Sequence, residues 1–497
     1  MMKLNKKIFL QPSHLQLIVS LAFGAIAWAT VWYKAIVIPI THDELATIIH
    51  YYRFSVWEIM MYPDPWPSNH ILNTLLTKLS MNLFGMEQWA ARLPNVLSFL
   101  LYFYAAWRIC RQLFDNNNLL FFSALSWFLF NPFLLDFFSL CRGYGLSNAL
   151  MLLAAMHCLE GFMQQRERAV WLGFAFGLLA SYANFTLLIF WCAVNGVAVL
   201  FFWNTYLRTA ALTTLLRSIG ILAIIDVAYL ALIITPIRKM QSTNQFVYWQ
   251  SNGFFRDTIV SLVENTRYGA KIIDLPHDYY AMLTVLLFFT AGAYMMYHWG
   301  RHGWQAVVKQ PVFIAFVLLA LMVFVNIMQT IILKTPNLTT RTALGFYPLF
   351  ILLMSSMLYV FYAARSRLAI WMSVVLLLLN IWHFQRTFTP DRTREWWYDA
   401  NTFEVLDALK SERTDENTTV SLQTGWHFHR SFDFYVQTGK ASWLDLQEYN
   451  KDIEPEAEAQ FYYIFDSDYP LLQENYDVFR KFDGGSRLLL RRKSEAK

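Results

Sequence analysis

Charged residues are scarce in this sequence. Only 15% of its 497 residues are Asp, Glu, Lys or Arg, whereas soluble domains carry about 25%. Hydrophobic residues make up 56% of the chain, and the mean hydropathy is +0.33. This balance excludes an ordinary soluble enzyme. The net charge of +5 gives no reason to expect a nucleic-acid partner.

Cysteine is also rare, with four residues that all lie within or beside apolar stretches: Cys110, Cys141, Cys158 and Cys192. Neither a disulfide framework nor a structural zinc site fits so few, so scattered thiols. The sequence also has no internal repeat, low-complexity tract or glycine-rich phosphate loop. These absences leave a membrane protein without a recognisable nucleotide site.

The charges that are present divide the chain into two parts. Residues 1–386 contain 26 Lys and Arg against 14 Asp and Glu, and residues 387–497 contain 14 against 21. We therefore predict a sparsely charged membrane domain over 1–386 and a charge-dense soluble domain over 387–497. Aromatic residues make up 18% of the chain, which suits interfacial belts and the walls of a lipid or sugar cavity.

Eleven segments are long and apolar enough to cross a bilayer. A spanning helix needs about 20 apolar residues, because a layer of about 30 Å is crossed at 1.5 Å per residue. We therefore predict an all-α polytopic domain of about 11 transmembrane helices. The predicted spans are residues 15–39, 89–107, 118–138, 143–162, 169–183, 185–205, 213–236, 279–299, 311–334, 343–363 and 367–386.

The tail has alternating helical and strand-like patterns, which predict a small α/β layer domain. Helical patterns cover 402–410 and 427–437, and apolar strand-like runs cover 419–422, 460–465 and the final SRLLLRR. No catalytic motif is evident in the tail, so we expect it to cover the membrane cavity or to guide an acceptor.

The short loops predict the orientation, since Lys and Arg are retained on the cytoplasmic side. With a cytoplasmic N-terminus, every inner loop is basic. The inner loops then contain Lys3, Lys6, Lys7, Arg108, Arg111, Arg166, Arg168, Arg208, Arg301, Lys309, Arg365 and Arg367. The long connections 40–88 and 237–278 and the soluble tail then share the opposite compartment.

The first outer loop has the densest group of ionisable residues. Asp43 and Glu44 follow the first span directly, and Asn69 and His70 lie further along the loop. Asp43 is a candidate general base, with Glu44 assisting it or binding the acceptor. An acidic pair at this point also fits a helix cap. Asp43, Glu44 and His70 are equally candidate ligands of a divalent cation, and the sequence does not separate these roles.

The order of these motifs resembles the GT-C superfamily of polytopic glycosyltransferases. The shared features are the carboxylate after the first span, Asn69-His70, the G-x-x-x-W-x-x-R-L-P stretch from Gly85, Arg142-Gly143-Tyr144, and Arg341 through Tyr347-Pro348. Within that superfamily, the chain resembles the protein O-mannosyltransferase and lipid A aminoarabinose transferase type. The resemblance covers nearly the whole chain.

The resemblance implies an enzyme that uses a polyprenyl-phosphate sugar donor and transfers the sugar with inversion to an acceptor hydroxyl on a lipid, glycan or protein. It also implies an extracytoplasmic site, which we expect in the periplasm of a bacterial inner membrane, with an endoplasmic reticulum location as the alternative. The anionic leaving group needs cations or hydrogen-bond donors. The outward candidates are Arg142, Tyr144, Arg267, Lys271, Arg341 and Tyr347.

Three other functions remain open from the sequence. One is a transporter or flippase, because acidic residues within the spans are also typical of that class. Here they are Asp226 inside the seventh predicted span and Asp136 near the outer end of the third. However, the repeated halves typical of transporters are not visible. A polymerase or ligase for lipid-linked glycans would use the same location with another donor. A non-catalytic scaffold is the third alternative. For Asp226 we favour a helix-packing hydrogen bond.

Overall fold

A computed structural model describes residues 14–64, 66–243, 251–269 and 275–493. Sixteen α-helices precede the tail within these residues. They are α1 His14–Val37, α2 Val56–Met61, α3 Ile71–Phe84, α4 Gln88–Phe114, α5 Asn118–Leu129, α6 Pro132–Phe138, α7 Tyr144–Gln164, α8 Glu167–Ala183, α9 Leu188–Tyr206, α10 Leu212–Ser242, α11 Ser261–Thr266, α12 His277–His302, α13 Trp304–Val307, α14 Pro311–Leu333, α15 Phe346–Ala363 and α16 Arg367–Thr387.

The predicted multi-pass helical fold is confirmed, with a correction to the number of continuous spans. In the described part of the chain, nine helices are long and apolar enough to cross a membrane. The predicted span 118–138 is two helices, α5 and α6, bent by 58°. The predicted span 169–183 is the 17-residue helix α8, which is at the short end of the range for a crossing.

Helix α8 nevertheless runs the length of its neighbour α7. A Cβ atom on Gly143, just before α7, would lie 2.4 Å from the carbonyl oxygen of Ala183 at the end of α8. At the other end, a Cβ atom on Gly161 would lie 2.5 Å from the Val170 side chain. The start of α7 thus lies against the end of α8, and the end of α7 against the start of α8, so the two helices are antiparallel and nearly equal in extent. Glycine at both contacts allows this close approach.

Two arginines from different loops lie close to one glutamate at the end of the bundle opposite Asp43. Arg108 at the end of α4 lies 3.7 Å from Glu160, and Arg166 before α8 lies 3.1 Å from the same carboxylate. Two loops predicted on the cytoplasmic side therefore meet at one end of the bundle.

The tail is an α/β domain, as predicted. It contains helices α17 Thr402–Lys410 and α18 Trp426–Gln437 and strands β1 Val420–Thr424, β2 Leu444–Leu446, β3 Phe461–Phe465, β4 Tyr476–Phe482 and β5 Arg487–Arg492. The strand order is β2-β1-β3-β5-β4. Strand β1 pairs parallel with β2 and β3, whereas β5 pairs antiparallel with β3 and β4.

The tail packs directly on the membrane helices near Asp43. Ile40, Leu45 and Ile48 from the first outer loop belong to one buried cluster with Val405 and Phe432 of the tail. Burying these apolar side chains together stabilises one placement of the tail, since each fully buried aliphatic or aromatic side chain contributes about 1.5–3 kcal/mol.

A buried ion pair fixes the C-terminal end of α1 to α6 and to the chain leading into the tail. Lys34 Nζ lies 2.5 Å from Asp136 Oδ1 and donates to the carbonyl of Thr389 at 2.9 Å. Tyr268 and the Arg394 amide both donate to Asp136 Oδ2, at 2.8 and 2.9 Å. Asp136 thus joins four segments, which is a structural role.

Asp226 makes the helix-packing contact favoured from the sequence. Its Oδ1 accepts a hydrogen bond of 3.3 Å from Asn195 Nδ2 on the neighbouring helix α9. An amide partner within the span lowers the cost of placing this acid at membrane depth.

Candidate active site

Asp43 lies in the turn that follows α1, between two arginines from distant parts of the chain. Arg142 Nη2 is 3.5 Å from Asp43 Oδ2, and Arg142 Nη1 donates to the backbone carbonyl of Asp43 at 3.1 Å. Arg341 Nη2 is 3.3 Å from the same carboxylate oxygen. The Asp43 side chain keeps 26% of its surface exposed, so a substrate can reach it.

The two arginines set the protonation state of Asp43. Burial raises the pKa of this carboxyl, but nearby positive charge, chiefly that of Arg142 and Arg341, leaves the pKa below its ordinary value. Asp43 is therefore ionised at neutral pH. It is a carboxylate ready to accept a proton, although its arginine partners reduce its affinity for one.

Glu44 has a different environment from its neighbour. Its carboxylate accepts hydrogen bonds from Arg92 Nε at 2.9 Å and Arg92 Nη2 at 2.6 Å, and from the amides of Thr41 at 2.9 Å and Cys141 at 2.5 Å. Its side chain is fully buried. Of the two acidic residues, Glu44 is therefore the one that acts as a cap, because its oxygens already accept hydrogen bonds from protein donors. This geometry favours a positioning role over contact with an acceptor.

Arg92 belongs to the R-L-P motif, and its partners explain why an arginine is needed there. Besides Glu44, it donates to the carbonyls of Ala35 at 3.0 Å, Ile38 at 2.6 Å and Pro39 at 2.8 Å. All five guanidinium donors are used, a set that lysine cannot supply. Arg92 thereby fixes the chain between α1 and Asp43.

A second cluster lies beside Asp43 and its two arginines and contains His70, its neighbour Asn69, and Tyr144. The His70 ring centroid is 5.2 Å from that of Tyr144. Asn69 donates to the carbonyl of Ile59 at 3.1 Å. Among the described residues, His70 Nε2 and Asn69 Oδ1 are buried without a hydrogen-bond partner. Burial holds the pKa of His70 well below its usual value, so its ring is neutral and offers a polar atom to a ligand.

Two residues that the sequence did not single out complete the cluster around Asp43. Glu395 Oε2 accepts from Arg341 Nη1 at 2.9 Å. The Trp396 ring lies 5.2 Å from the Arg341 guanidinium and 6.0 Å from that of Arg142. Both residues follow α16 in the segment that leads to the tail. Their sequence, DRTREWW, combines charges and tryptophans directly after the last span, which is the only signal that pointed to them.

The tail also holds the backbone that carries Asp43. The Ile40 amide donates to the Tyr435 hydroxyl at 3.1 Å, and Ser431 Oγ donates to the Ile40 carbonyl at 2.7 Å. The His42 amide donates to Asp399 Oδ2 at 2.8 Å. The candidate base is therefore fixed by Arg92 on the membrane side and by the tail on the other.

Burial shifts the pKa values of two titratable groups in the contact between the tail and the Asp43 turn. His42 bonds through Nδ1 to the carbonyl of His427 at 3.0 Å, and its burial lowers the pKa of the ring to about 4. Asp399 is fully buried, and burial raises the pKa of its carboxyl well above the ordinary value, with Asp43 and Glu44 adding to the rise. The His42 ring is therefore neutral at neutral pH and adds no positive charge beside Asp43.

The other predicted phosphate ligands have different surroundings. Arg267 contacts His277 Nδ1 at 3.0 Å and lies 4.0 Å from the Tyr280 ring. The Tyr347 hydroxyl donates to the carbonyl of Trp127 at 3.1 Å. Lys271 lies outside the described residues. The structure thus brings Arg142 and Arg341 to Asp43, and Tyr144 to His70.

The donor set does not fit a divalent cation. Asp43 lies between two guanidinium groups, and Glu44 is engaged by Arg92. Within the described ranges, no group of three His, Cys, Asp or Glu side chains is suitably placed for a metal. Cations beside both carboxylates oppose a further positive charge at this point.

A cavity of about 260 Å³ lies between α18 and the chain segment that follows Asp43 and Glu44. The residues that line it include Leu45, Arg53, Trp66 and Arg430. The Arg430 guanidinium lies 5.8 Å from the Trp66 ring. A larger groove of about 380 Å³ lies between α4 and the tail, on the side of Trp89 and Trp443.

No family model and no curated protein sequence matches the chain. Among solved structures, the chain is similar to ArnT from Cupriavidus metallidurans. The match to its apo form has 13% identity, a TM-score of 0.41 and coverage of 96% of this chain and 98% of the other. The match to the form bound to undecaprenyl phosphate has 12% identity, a TM-score of 0.43 and coverage of 97% and 99%.

The chain is also similar to an oligosaccharyltransferase from Archaeoglobus fulgidus that is tethered to an acceptor peptide. This match has 11% identity, a TM-score of 0.40 and coverage of 96% of this chain and 74% of the other.

Proposed function

We propose that this protein is a membrane glycosyltransferase that moves a sugar from a polyprenyl-phosphate donor to an acceptor hydroxyl, with Asp43 as general base. The observation that carries the proposal is the placement of one ionised, partly exposed carboxylate between Arg142 and Arg341 at the membrane-facing end of a soluble domain. The resemblance of the motifs around these three residues to GT-C enzymes supports the same function.

The reaction is a one-step displacement. Asp43 takes the proton of the acceptor hydroxyl as its oxygen attacks the anomeric carbon. The bond between that carbon and the phosphate oxygen breaks, and its electron pair leaves with polyprenyl phosphate. Arg142 and Arg341 stabilise the charge that develops on the phosphate. Asp43 then returns its proton to water, and the anomeric configuration is inverted.

Each remaining residue of the group has a proposed part in this reaction. The unpartnered His70 Nε2 and Asn69 Oδ1 bind hydroxyl groups of the sugar, and Tyr144 supports the His70 ring. Glu44 and Arg92 position the turn. We propose Arg267, Lys271 and Tyr347 as further contacts to the lipid donor, and an extracytoplasmic, periplasmic location for the site.

The test uses purified full-length protein in detergent, given undecaprenyl-phosphate sugars and candidate acceptors, with release of undecaprenyl phosphate as the readout. We expect Asp43→Asn to reduce release about 100-fold or more and to retain binding of undecaprenyl phosphate. The control is Asp445→Asn, an exposed acid in β2. Full turnover by a folded Asp43→Asn variant would overturn the base assignment. Movement of intact donor across liposomes without cleavage would favour a flippase.

A further inference from the structure

We propose that Glu395 is a positioning residue of this reaction, which anchors one nitrogen of Arg341 while the other nitrogen passes from Asp43 to the donor's phosphate. The inference rests on the proposed function and adds a residue from the segment that joins the last span to the tail. It makes donor binding the event that frees the base.

The geometry of Arg341 supports such a pivot. Its Nη1 lies 2.9 Å from Glu395 Oε2, whereas its Nη2 lies 3.3 Å from Asp43 Oδ2. The bond to Glu395 is the shorter one, and Glu395 is 14% exposed against 26% for Asp43. A shorter and more buried ion pair is the stronger one. The Asp43 contact is therefore the one that an incoming anion displaces.

Trp396 restricts the directions in which Arg341 can move. Its ring lies 5.2 Å from the Arg341 guanidinium and is almost fully buried, with 3% exposed. A planar guanidinium that packs over a fixed ring and is anchored at one nitrogen keeps mainly a rotation in its own plane. Such a rotation carries Nη2 away from Asp43 without separating Nη1 from Glu395.

Loss of the Arg341 contact increases the proton affinity of Asp43, as a general base requires. The charged and titratable groups that face Asp43 are Arg142, Arg341, Arg430, His42, His70 and Asp399. Nearby positive charge, chiefly that of Arg142 and Arg341, keeps the pKa of the carboxyl below its ordinary value despite burial. When a phosphate engages Nη2, one of these attractions is lost, so the carboxylate becomes a stronger base.

The experiment compares Glu395→Gln with wild type in the full-length protein, using undecaprenyl phosphate as the binding probe. We expect the variant to bind the probe about 3- to 10-fold more tightly, because removing one negative charge leaves more positive potential at Arg341. We expect kcat for sugar transfer to fall about 10-fold or more, since Arg341 is no longer anchored. A role limited to fold stability would weaken binding and turnover together.

The matched control is Glu404→Gln, which removes the same charge from the surface of α17, where the carboxylate contacts Asn401 at 2.9 Å. It should bind and turn over as wild type does. If Glu395→Gln does not fold, Glu395→Asp keeps the charge with a shorter reach, and it should lower kcat while probe binding stays within about 3-fold.

The outcomes separate the two proposals. Wild type that neither binds the probe nor transfers sugar overturns the proposed function and this inference with it. Wild type that does both, with Glu395→Gln indistinguishable from Glu404→Gln, overturns only the role of Glu395. Tighter probe binding with unchanged kcat also overturns it, because the pivot requires the anchor.

Discussion

Arg92 holds Glu44 in a fork of two N–H···O bonds, 2.9 Å from Nε and 2.6 Å from Nη2, with both side chains fully buried. The pair connects the start of α4 to the turn that carries Asp43. One residue of the acidic pair is thus structural, and its neighbour faces the accessible side of the site. This division lets Asp43 react without loosening the turn that positions it.

The first prediction concerns this fork. We expect Glu44→Gln to lower stability by about 3–5 kcal/mol, because it leaves the buried charge of Arg92 without its counter-charge. Fluorescence-monitored unfolding in detergent measures the change. The control is Glu87→Gln, whose carboxylate pairs with Lys440 at 2.7 Å while 47% exposed, and which should change stability by less than about 1 kcal/mol. Equal losses in both variants would contradict the structural role of Glu44.

The second prediction concerns His42 and acid stability. The folded state keeps the His42 ring neutral down to about pH 4, whereas an unfolded histidine binds a proton near pH 6.5. Acidification through this window therefore favours unfolding, by up to about 3 kcal/mol. We expect His42→Asn, which retains a donor near Nδ1, to flatten the dependence of the unfolding temperature on pH between 6.5 and 4. Parallel curves for variant and wild type would refute this.

The third prediction concerns the contact between the tail and the Asp43 turn. Tyr435 accepts from the Ile40 amide at 3.1 Å and donates to Gln88 at 2.9 Å. Tyr435→Phe leaves both partners unsatisfied, so we expect a loss of about 1–3 kcal/mol and a several-fold lower kcat. Tyr279, 56% exposed on α12, provides the control Tyr279→Phe. An altered acceptor preference with unchanged kcat would instead favour the tail as an acceptor guide.

The fourth prediction concerns the pH dependence of transfer. In the free enzyme the pKa of Asp43 lies below its ordinary value, chiefly because of the positive charges of Arg142 and Arg341. On acidification, kcat/KM for the donor should therefore decrease only below about pH 4. The acid limb of kcat should lie at higher pH, because bound donor removes Arg341 from Asp43. Superimposable profiles would contradict the pivot and leave the base assignment intact.

Most of the fold was predictable because a bilayer requires long apolar helices. The misses have local causes. Helix α10 continues past Pro236 to Ser242, beyond the predicted end of the span. Strand β2 has three residues, and β4 is buried only at its two ends and contains Asp477, Arg480 and Lys481, so neither has the apolar run that identified β1, β3 and β5.

The site was predictable only in part. Asp43, Arg142 and Arg341 lie in motifs, and the structure brings them together. The sequence left Glu44 between capping, assisting Asp43, binding an acceptor and holding a cation, and its contacts with Arg92 and the Thr41 amide favour the structural role. Glu395 was not, since it meets Arg341 across 54 residues and lies in no motif.

The sequence by itself determined that this chain crosses a membrane many times and carries an α/β tail, because hydropathy and charge are local properties that act on each segment independently. It also placed a carboxylate after the first span. Only the tertiary structure decided that Asp43 faces two arginines, that Glu44 pairs with Arg92, and that Glu395 and Asp399 reach the site from the segment between α16 and α17. Such contacts depend on the packing of distant segments, and ion pairs act over a few ångströms in space, whatever the separation along the chain.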